Sequence, residues 1–310
     1  MSGVYGGVDC VLLAERRRLT DLAYRLLGSV AEAEDAVQET YARWYAMAPE
    51  RRAAVRVPGA WLTTVAGRVC LDQLGSARVR RERYVGAWLP EPLPDRTEWG
   101  GGAAVDPADR VTLDESVHMA FLVILESMTP AERVAFVLHD VFAFPFGEVA
   151  GVVGRSPAAC RQLASSARRR IGAAKASAGP AVAGQAGVVR EFKEAWEAKD
   201  IEALVGLLDP DAVMTADGGG LVGTVLRPVE GGARIADYLL FIAGKAPGLR
   251  LLERSVSGRP GLVAQVGGVT VTVAAFDLGE DDGRVRRIWV VRNPEKLRPW
   301  SCSGSGSEPG

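Results

Sequence analysis

Between residues 172 and 187 the chain reads "GAAKASAGPAVAGQAG", and the apolar residues on its two sides follow different periods. Before it they recur at intervals of three and four, the spacing of a buried helix face. After it they gather into short β-rich runs bounded by Gly, Asp and Pro, such as "GLVAQVGGVTVTVAAFDLG" and "RVRRIWVVRNP". A chain that changes period in this way needs more than one core, and 310 residues leave room for two or three. The stretch itself has little apolar bulk, which predicts a flexible linker over 176–187.

The part before the linker predicts helices. "LLAERRRLTDLAYRLLGS" puts Leu12, Leu19, Leu22, Ala23, Leu26 and Leu27 on one face and ends at Gly28. "VAEAEDAVQETYARWYAMAP" follows, and a third helix opens after Pro58 with its arginines crowded toward the far end. Residues 86–107 carry Pro, Gly and acids without a period and read as an acidic linker. Helices resume with "DPADRVTLDESVHMAFLVILESM" and "TPAERVAFVLHDVFAF", the latter opened by Thr129, Pro130 and Glu132 as cap, first-turn proline and capping-box acid.

"GRSPAACRQLASSARRRI", residues 154–171, is the sharpest motif. Ser156 and Pro157 start a helix whose Cys160, Leu163, Ala164, Ala167 and Ile171 share one side. Ala158, Arg161, Gln162, Ser165, Arg168 and Arg169 share the other. "EVAGVVG" supplies a preceding helix, and Gly154 the left-handed turn between them. This is a helix-turn-helix pattern offering Arg and Gln to base edges and phosphates. The net charge of −1 hides the asymmetry: residues 150–176 hold six basic residues and no acid, whereas 91–115 hold seven acids against two arginines.

The pairing of two helical modules, each with a basic helix, across an acidic linker resembles the extracytoplasmic-function (ECF) sigma factors of bacteria. "AEDAVQETYARWY" resembles the segment that docks on core RNA polymerase, through its beta and beta-prime subunits; the resemblance implies contacts from Asp35, Gln38, Glu39 and Trp44. "AWLTTVAGRVCLDQLGSARVRRERY" resembles the reader of the −10 element, implying Arg68, Asp72, Arg78, Arg80 and Arg81, beside Trp61 and Tyr84. The helix-turn-helix resembles the −35 reader, implying Ser156, Arg161, Gln162, Ser165, Arg168 and Arg169 on promoter DNA. "WLPEP" (Trp88, Leu89, Pro90, Glu91, Pro92), "DGGG" (Asp217, Gly218, Gly219, Gly220) and "NPEKL" (Asn293, Pro294, Lys296, Leu297) resemble the SigJ-like branch, which carries a SnoaL-like, NTF2-type α+β cone. Those residues are the expected regulatory contacts. Leu221, Gly75 and Gly147 depart from the pattern, standing where a basic residue, a basic residue and an acid are usual.

The expected organisation is multidomain: two all-α sigma modules at 10–85 and 108–175 flanking an acidic linker at 86–107, then a linker at 176–187. A SnoaL-like domain over 188–300, with helices leading into an antiparallel sheet, and a disordered tail at 301–310 complete it. The expected function is promoter-specific initiation, regulated in cis by the last domain, with a small ligand in its pocket as a further partner. Two other classes compete: a ligand-responsive helix-turn-helix regulator that does not dock on polymerase, and a fused SnoaL-type enzyme. The enzyme would need an acid–base pair among Asp217, Asp237 and Asp277, in a domain without histidine. Asp217 before three glycines also reads as a plain turn. No catalytic residue is assigned. The four cysteines lack metal-ligand or redox spacing, so no metal or cofactor is expected. "CVLLA" is too short for a signal peptide and no run is long enough to span a membrane, which predicts a cytoplasmic protein.

Overall fold

A computed structural model describes residues 5–82, 84–95, 118–175, 182–280 and 282–300, with backbone alone at 5–14, 77–82, 174–175 and 182–183. The first helices are α1 (Tyr5–Leu27), α2 (Val30–Ala46), α3 (Pro49–Ala53) and α4 (Pro58–Glu82). Gly28 turns left-handed and donates its amide to the Tyr24 carbonyl at 2.7 Å, ending α1. Ser29 then caps α2. The predicted apolar face of α1, Leu19 to Leu27, is buried where α1, α2 and α4 pack together.

Next come α5 (Met119–Glu126), α6 (Pro130–Phe136), α7 (Phe146–Val153) and α8 (Pro157–Lys175). The capping box at Thr129 forms in full, with Thr129 and Glu132 exchanging hydrogen bonds at 3.3 and 3.0 Å. The helix expected to run on through Phe144 instead widens to a π turn over Val137–Val141, where the Phe142 amide reaches back five residues to the Val137 carbonyl. That extra residue keeps Val137 and Leu138 buried while leaving Asp140 exposed beside α8.

The described residues divide into two compact units. One holds residues 5–82 and 124–172; the other holds 84–95, 118–123 and 173–300. The first helical module and residues 124–172 of the second thus fall in one unit, while residues 118–123 and the start of the acidic linker belong to the α+β unit.

That second unit contains α9 (Val182–Ala198), α10 (Ile201–Leu207), β1 (Leu208–Asp217), β2 (Val229–Glu230), α11 (Gly232–Lys245), β3 (Leu249–Val256), β4 (Arg259–Val266), β5 (Val269–Leu278) and β6 (Val285–Val291). The predicted flexible segment is shorter than expected, because α9 begins at Val182 and Gln185 is buried, donating to the Pro260 and Phe276 carbonyls. The sheet runs β2-β1-β6-β5-β4-β3 and is mixed rather than antiparallel: β6 returns beside β1 in parallel. Residues 221–228 form no strand, and β2 begins at Val229. Helices α9 and α11 cover one face of this sheet, tied together by the Trp196 indole donating to the Leu239 carbonyl at 3.0 Å. Strand alternation sends Ala216, Ile288 and Val290 to that face and Trp289 and Val291 to the other, where Leu89, Leu297 and Trp300 pack.

Candidate functional site

On α8 the predicted division of faces holds. Cys160, Ala164, Ala167 and Ile171 are buried, while Arg161, Gln162, Ser165, Arg168 and Arg169 are exposed. Gly154 adopts φ 70° and lets the Gly154 and Arg155 amides close on the Ala150 carbonyl, so α8 leaves α7 at a sharp angle. Ser156 accepts from the Ala159 amide at 3.2 Å as the cap. Arg161 lies over the Phe146 ring, which stacks on His139 at 3.8 Å. Arg168 pairs with Asp140 at 2.7 Å, and Arg170 lies 3.9 Å from Glu132. Glu132 is held below the usual carboxylate range: burial raises it, but donation from the Thr129 amide and the Ser166 and Thr129 hydroxyls outweighs burial.

On α2, Asp35, Gln38 and Glu39 are exposed, and Glu39 pairs with Arg43 at 3.0 Å. Trp44 is a correction. It is only 3% exposed and meets Trp61 edge-on at 5.1 Å, so it is a core residue and no surface contact. Tyr45, the next residue along, is 56% exposed. On α4, Asp72 is exposed. Arg68 is exposed but engaged, giving two hydrogen bonds, 3.1 and 2.7 Å, to the Gly151 carbonyl of α7. The side chains of Arg78, Arg80 and Arg81 lie outside the described residues.

Arg68 is one of several arginines that join the first helices to the later ones. Gly151 lies in the last turn of α7, where a carbonyl has no helical partner, and a guanidinium satisfies it. Arg133 of α6 does the same for Leu26 in the last turn of α1 at 2.8 Å, with Glu126 as its ion-pair partner at 2.6 Å. Arg18 and Arg25 lie over the rings of Phe144 and Phe142.

In the α+β unit the three short motifs converge on Asp217, which is fully buried at the end of β1. Its carboxylate accepts from the Tyr84 hydroxyl at 2.6 Å, the Leu89 amide at 2.9 Å, the Gly219 amide at 3.0 Å and the Lys296 ammonium at 2.7 Å. Lys296 also donates to the Leu89 carbonyl and lies over the Trp88 ring at 4.0 Å. Asn293 donates to the Tyr84 hydroxyl at 2.9 Å. Burial, then the bond to Asp217, pushes the Tyr84 phenol well above its ordinary value, so it stays a donor. Gly219, at φ 66°, needs glycine twice over: a Cβ there would stand 2.6 Å from the Asn293 amide.

Further along, Leu93 exchanges hydrogen bonds with Ser257, and the Trp300 indole donates to the Pro92 carbonyl at 2.9 Å. Pro90, Glu91 and Pro92 are buried, and Gly220 packs beside Val85. Pro294 is exposed and only turns the chain, its carbonyl accepting from the Leu297 amide. Tyr84, expected beside the −10 reader, is therefore part of this clasp. Ser257 and Trp300 were not foreseen; a buried indole needing an acceptor is the one signal that pointed to Trp300.

Neither Asp237, which is exposed, nor Asp277 lines the cavity under α9 and α11. Asp277 lies across the sheet from it, 3.8 Å from Arg287; burial raises its pKa above the ordinary value against the pull of that arginine. Among the described residues no cluster suits a metal ion, and no helix is long and apolar enough to cross a membrane.

The family model for sigma-70 region 2 matches residues 12–80, and that for sigma-70 region 4 matches residues 118–171. The chain is 39% identical over 303 residues to the ECF RNA polymerase sigma factor SigJ of Mycobacterium tuberculosis, covering 92% of this chain and 91% of the relative. It is 36% identical to a probable ECF RNA polymerase sigma factor, SigI, of the same species, covering 94% and 95%. The crystal structure of M. tuberculosis SigJ superposes with a TM-score of 0.72 at 35% identity, over 93% of this chain and 97% of that one.

Proposed function

This chain belongs to the extracytoplasmic-function RNA polymerase sigma factors, which direct transcription initiation, and from that premise we propose how its residues divide the work. Asp35, Gln38 and Glu39 dock on the beta and beta-prime subunits of core polymerase. The far half of α4 opens the −10 element, with Asp72, Arg78, Arg80 and Arg81 at the DNA. Helix α8 enters the major groove at −35, where Arg161, Gln162 and Ser165 near its start face base edges and Arg168 and Arg169 face phosphates. The observation that carries this reading is the exposed face of Arg161, Gln162, Ser165, Arg168 and Arg169 on a helix held by a left-handed glycine turn.

The packed helical unit is a resting arrangement. Elements named −10 and −35 lie about 25 base pairs apart, roughly 85 Å at 3.4 Å per pair. A compact unit of this size has a radius of gyration of about 14 Å. Reading both elements at once therefore requires the first helices to part from α6–α8. The clasp on Tyr84–Asp95 regulates that step in cis by fixing the chain directly after α4, and a small ligand bound in the α+β domain would act through it. Catalysis has no part in this reading.

Pull-down of core polymerase tests the docking face. Asp35→Lys with Glu39→Lys should abolish capture of the large subunits and promoter-specific transcription, with the circular dichroism spectrum unchanged. Full capture by that folded variant would overturn the assignment.

A further inference from the structure

A cavity of about 280 Å³ lies between the sheet and helices α9 and α11. Packed interiors rarely leave a void much larger than a water molecule, so this one needs a cause. The cause is legible on the strands. Ala216, Ala264 and Ala274 face inward from β1, β4 and β5 where Leu, Ile or Phe would fill the space. Phe192, Trp196 and Phe276 supply aromatic walls around them.

Among the polar residues that line the cavity, Thr224 and Arg292 have hydrogen-bonding capacity to spare. The Thr224 hydroxyl oxygen is out of contact with solvent and has no hydrogen-bond partner among the described residues. Arg292 lines the same cavity, and among the described residues its guanidinium donates only to the carbonyl of Gly223, the residue before Thr224. A guanidinium has five donors in a planar fork that suits a carboxylate. No Asp or Glu among the described residues lines the cavity, so its local charge is that of Arg292 alone. An unanswered hydroxyl, a cation with donors to spare and an apolar chamber behind them specify a ligand by its chemistry.

We propose that this cavity is a binding site for a small monocarboxylic acid with an alkyl or ring body, its carboxylate held by Arg292 and Thr224 and its body by the chamber. The site deepens the regulatory reading above, and only its consequence for transcription rests on that reading. Cavity and clasp are carried by the same two chain segments. Ala216 faces the cavity and Asp217 the clasp; Arg292 faces the cavity and Asn293 the clasp. The Arg292 and Asn293 amides both donate to the Asp217 carbonyl, at 2.7 and 3.0 Å. A carboxylate drawing on Arg292 therefore pulls at the turn that holds Tyr84.

Calorimetric titration of the full chain with octanoate, and with 1-octanol as its uncharged match, tests the site without polymerase or promoter, so its failure leaves the clasp's role untouched. Octanoate should bind at least tenfold more tightly than octanol. Arg292→Gln should weaken octanoate at least tenfold and leave octanol within threefold, which also shows the chamber intact. Thr224→Val, a smaller change, should weaken octanoate alone. Ala264→Phe should exclude both. No saturable octanoate binding, equal affinity for acid and alcohol, or octanoate binding that survives Ala264→Phe in a folded protein would overturn the proposal.

Discussion

Within the helical unit, the first helices meet the later ones through arginines resting on carbonyls at helix ends and on aromatic rings; within the α+β unit, the linker meets the sheet through a buried carboxylate with four donors. Arg68 on Gly151 is a contact that water can replace, because an exposed guanidinium and an end-of-helix carbonyl are both readily hydrated; of the arginines in this joint Arg133, paired with Glu126, is a buried exception. Asp217 and Lys296 have no such substitute: 2.7 Å apart and out of solvent, each depends on the other. The difference fits the proposed parting of the helical unit on the promoter, with the chain beside it held.

The largest effect belongs to the buried pair. Asp217→Asn keeps the shape but leaves the Lys296 charge without a counter-ion, and should cost the α+β unit about 3–5 kcal/mol in chemical denaturation. Hydrogen exchange at the Leu89 amide should quicken in parallel. Adding Lys296→Met should restore part of the loss, since the leftover charge causes most of it. A cost below about 1 kcal/mol would erase the contrast between the two joints.

On α8 the expected effect falls on recognition instead of folding. Arg161→Ala should forfeit about 1–3 kcal/mol of discrimination at one base pair of the −35 element, because a side chain near the start of the helix reaches base edges. Arg168→Ala, further along and already paired with Asp140, should weaken all sequences alike and flatten the salt dependence of binding. Binding titrations on single-substituted promoter duplexes separate the two outcomes; a uniform loss from Arg161→Ala would move α8 out of the groove.

Glu132 sharpens the comparison from within the helical unit, being a buried acid there that answers to hydroxyls and an amide. Its folded value lies below its ordinary 4.5, so its contribution is present above that pH and is lost as the pH falls through the lower folded value. Glu132→Gln should cost about 1 kcal/mol at neutral pH and make the unit's stability less steep on the acid side, as read from thermal midpoints between about pH 3 and 7. An unchanged acid slope would mean that other carboxylates carry it.

The helical half was legible because its rules are local: the Thr129 capping box, the Gly154 turn and the buried face of α8 each follow from residues within one turn of each other. The α+β half was legible in class but not in detail. Strand β1 hides behind Asp209, Pro210 and Asp211, which are poor strand formers, and its register shifts between Leu208 and Val213. Helix α11 was missed behind Gly231 and Gly232, although Ile235, Ala236 and Leu239 keep its period. The clasp's three motifs could be named, yet their meeting at one carboxylate depends on β6 returning beside β1, a long-range pairing that no short window contains. Trp44 was misplaced for a similar reason, since its partner Trp61 comes from another helix.

The smallest expected change in stability decides between two roles for one residue. Arg68 was expected at the −10 element, yet its guanidinium rests on the Gly151 carbonyl, joining α4 to α7. Arg68→Ala removes an exposed contact and should cost within about 0.5 kcal/mol. Its effect on transcription has a sign that stability does not. If Arg68 holds the helical unit shut, the substitution eases the parting that both promoter elements require, and multi-round transcription with core polymerase should rise a few-fold. If its charge is needed at DNA phosphates instead, transcription should fall and the salt dependence of promoter binding should shrink by roughly one counterion. Asp72→Ala is the contrast, because Asp72 is exposed one turn along α4 on the proposed DNA surface, and its loss should lower transcription. A rise from Arg68→Ala with no rise from Asp72→Ala would place the joint, and not the DNA surface, at the first half of α4. Equal output from both variants and the unaltered protein would mean that the arginine joint bears no load in opening.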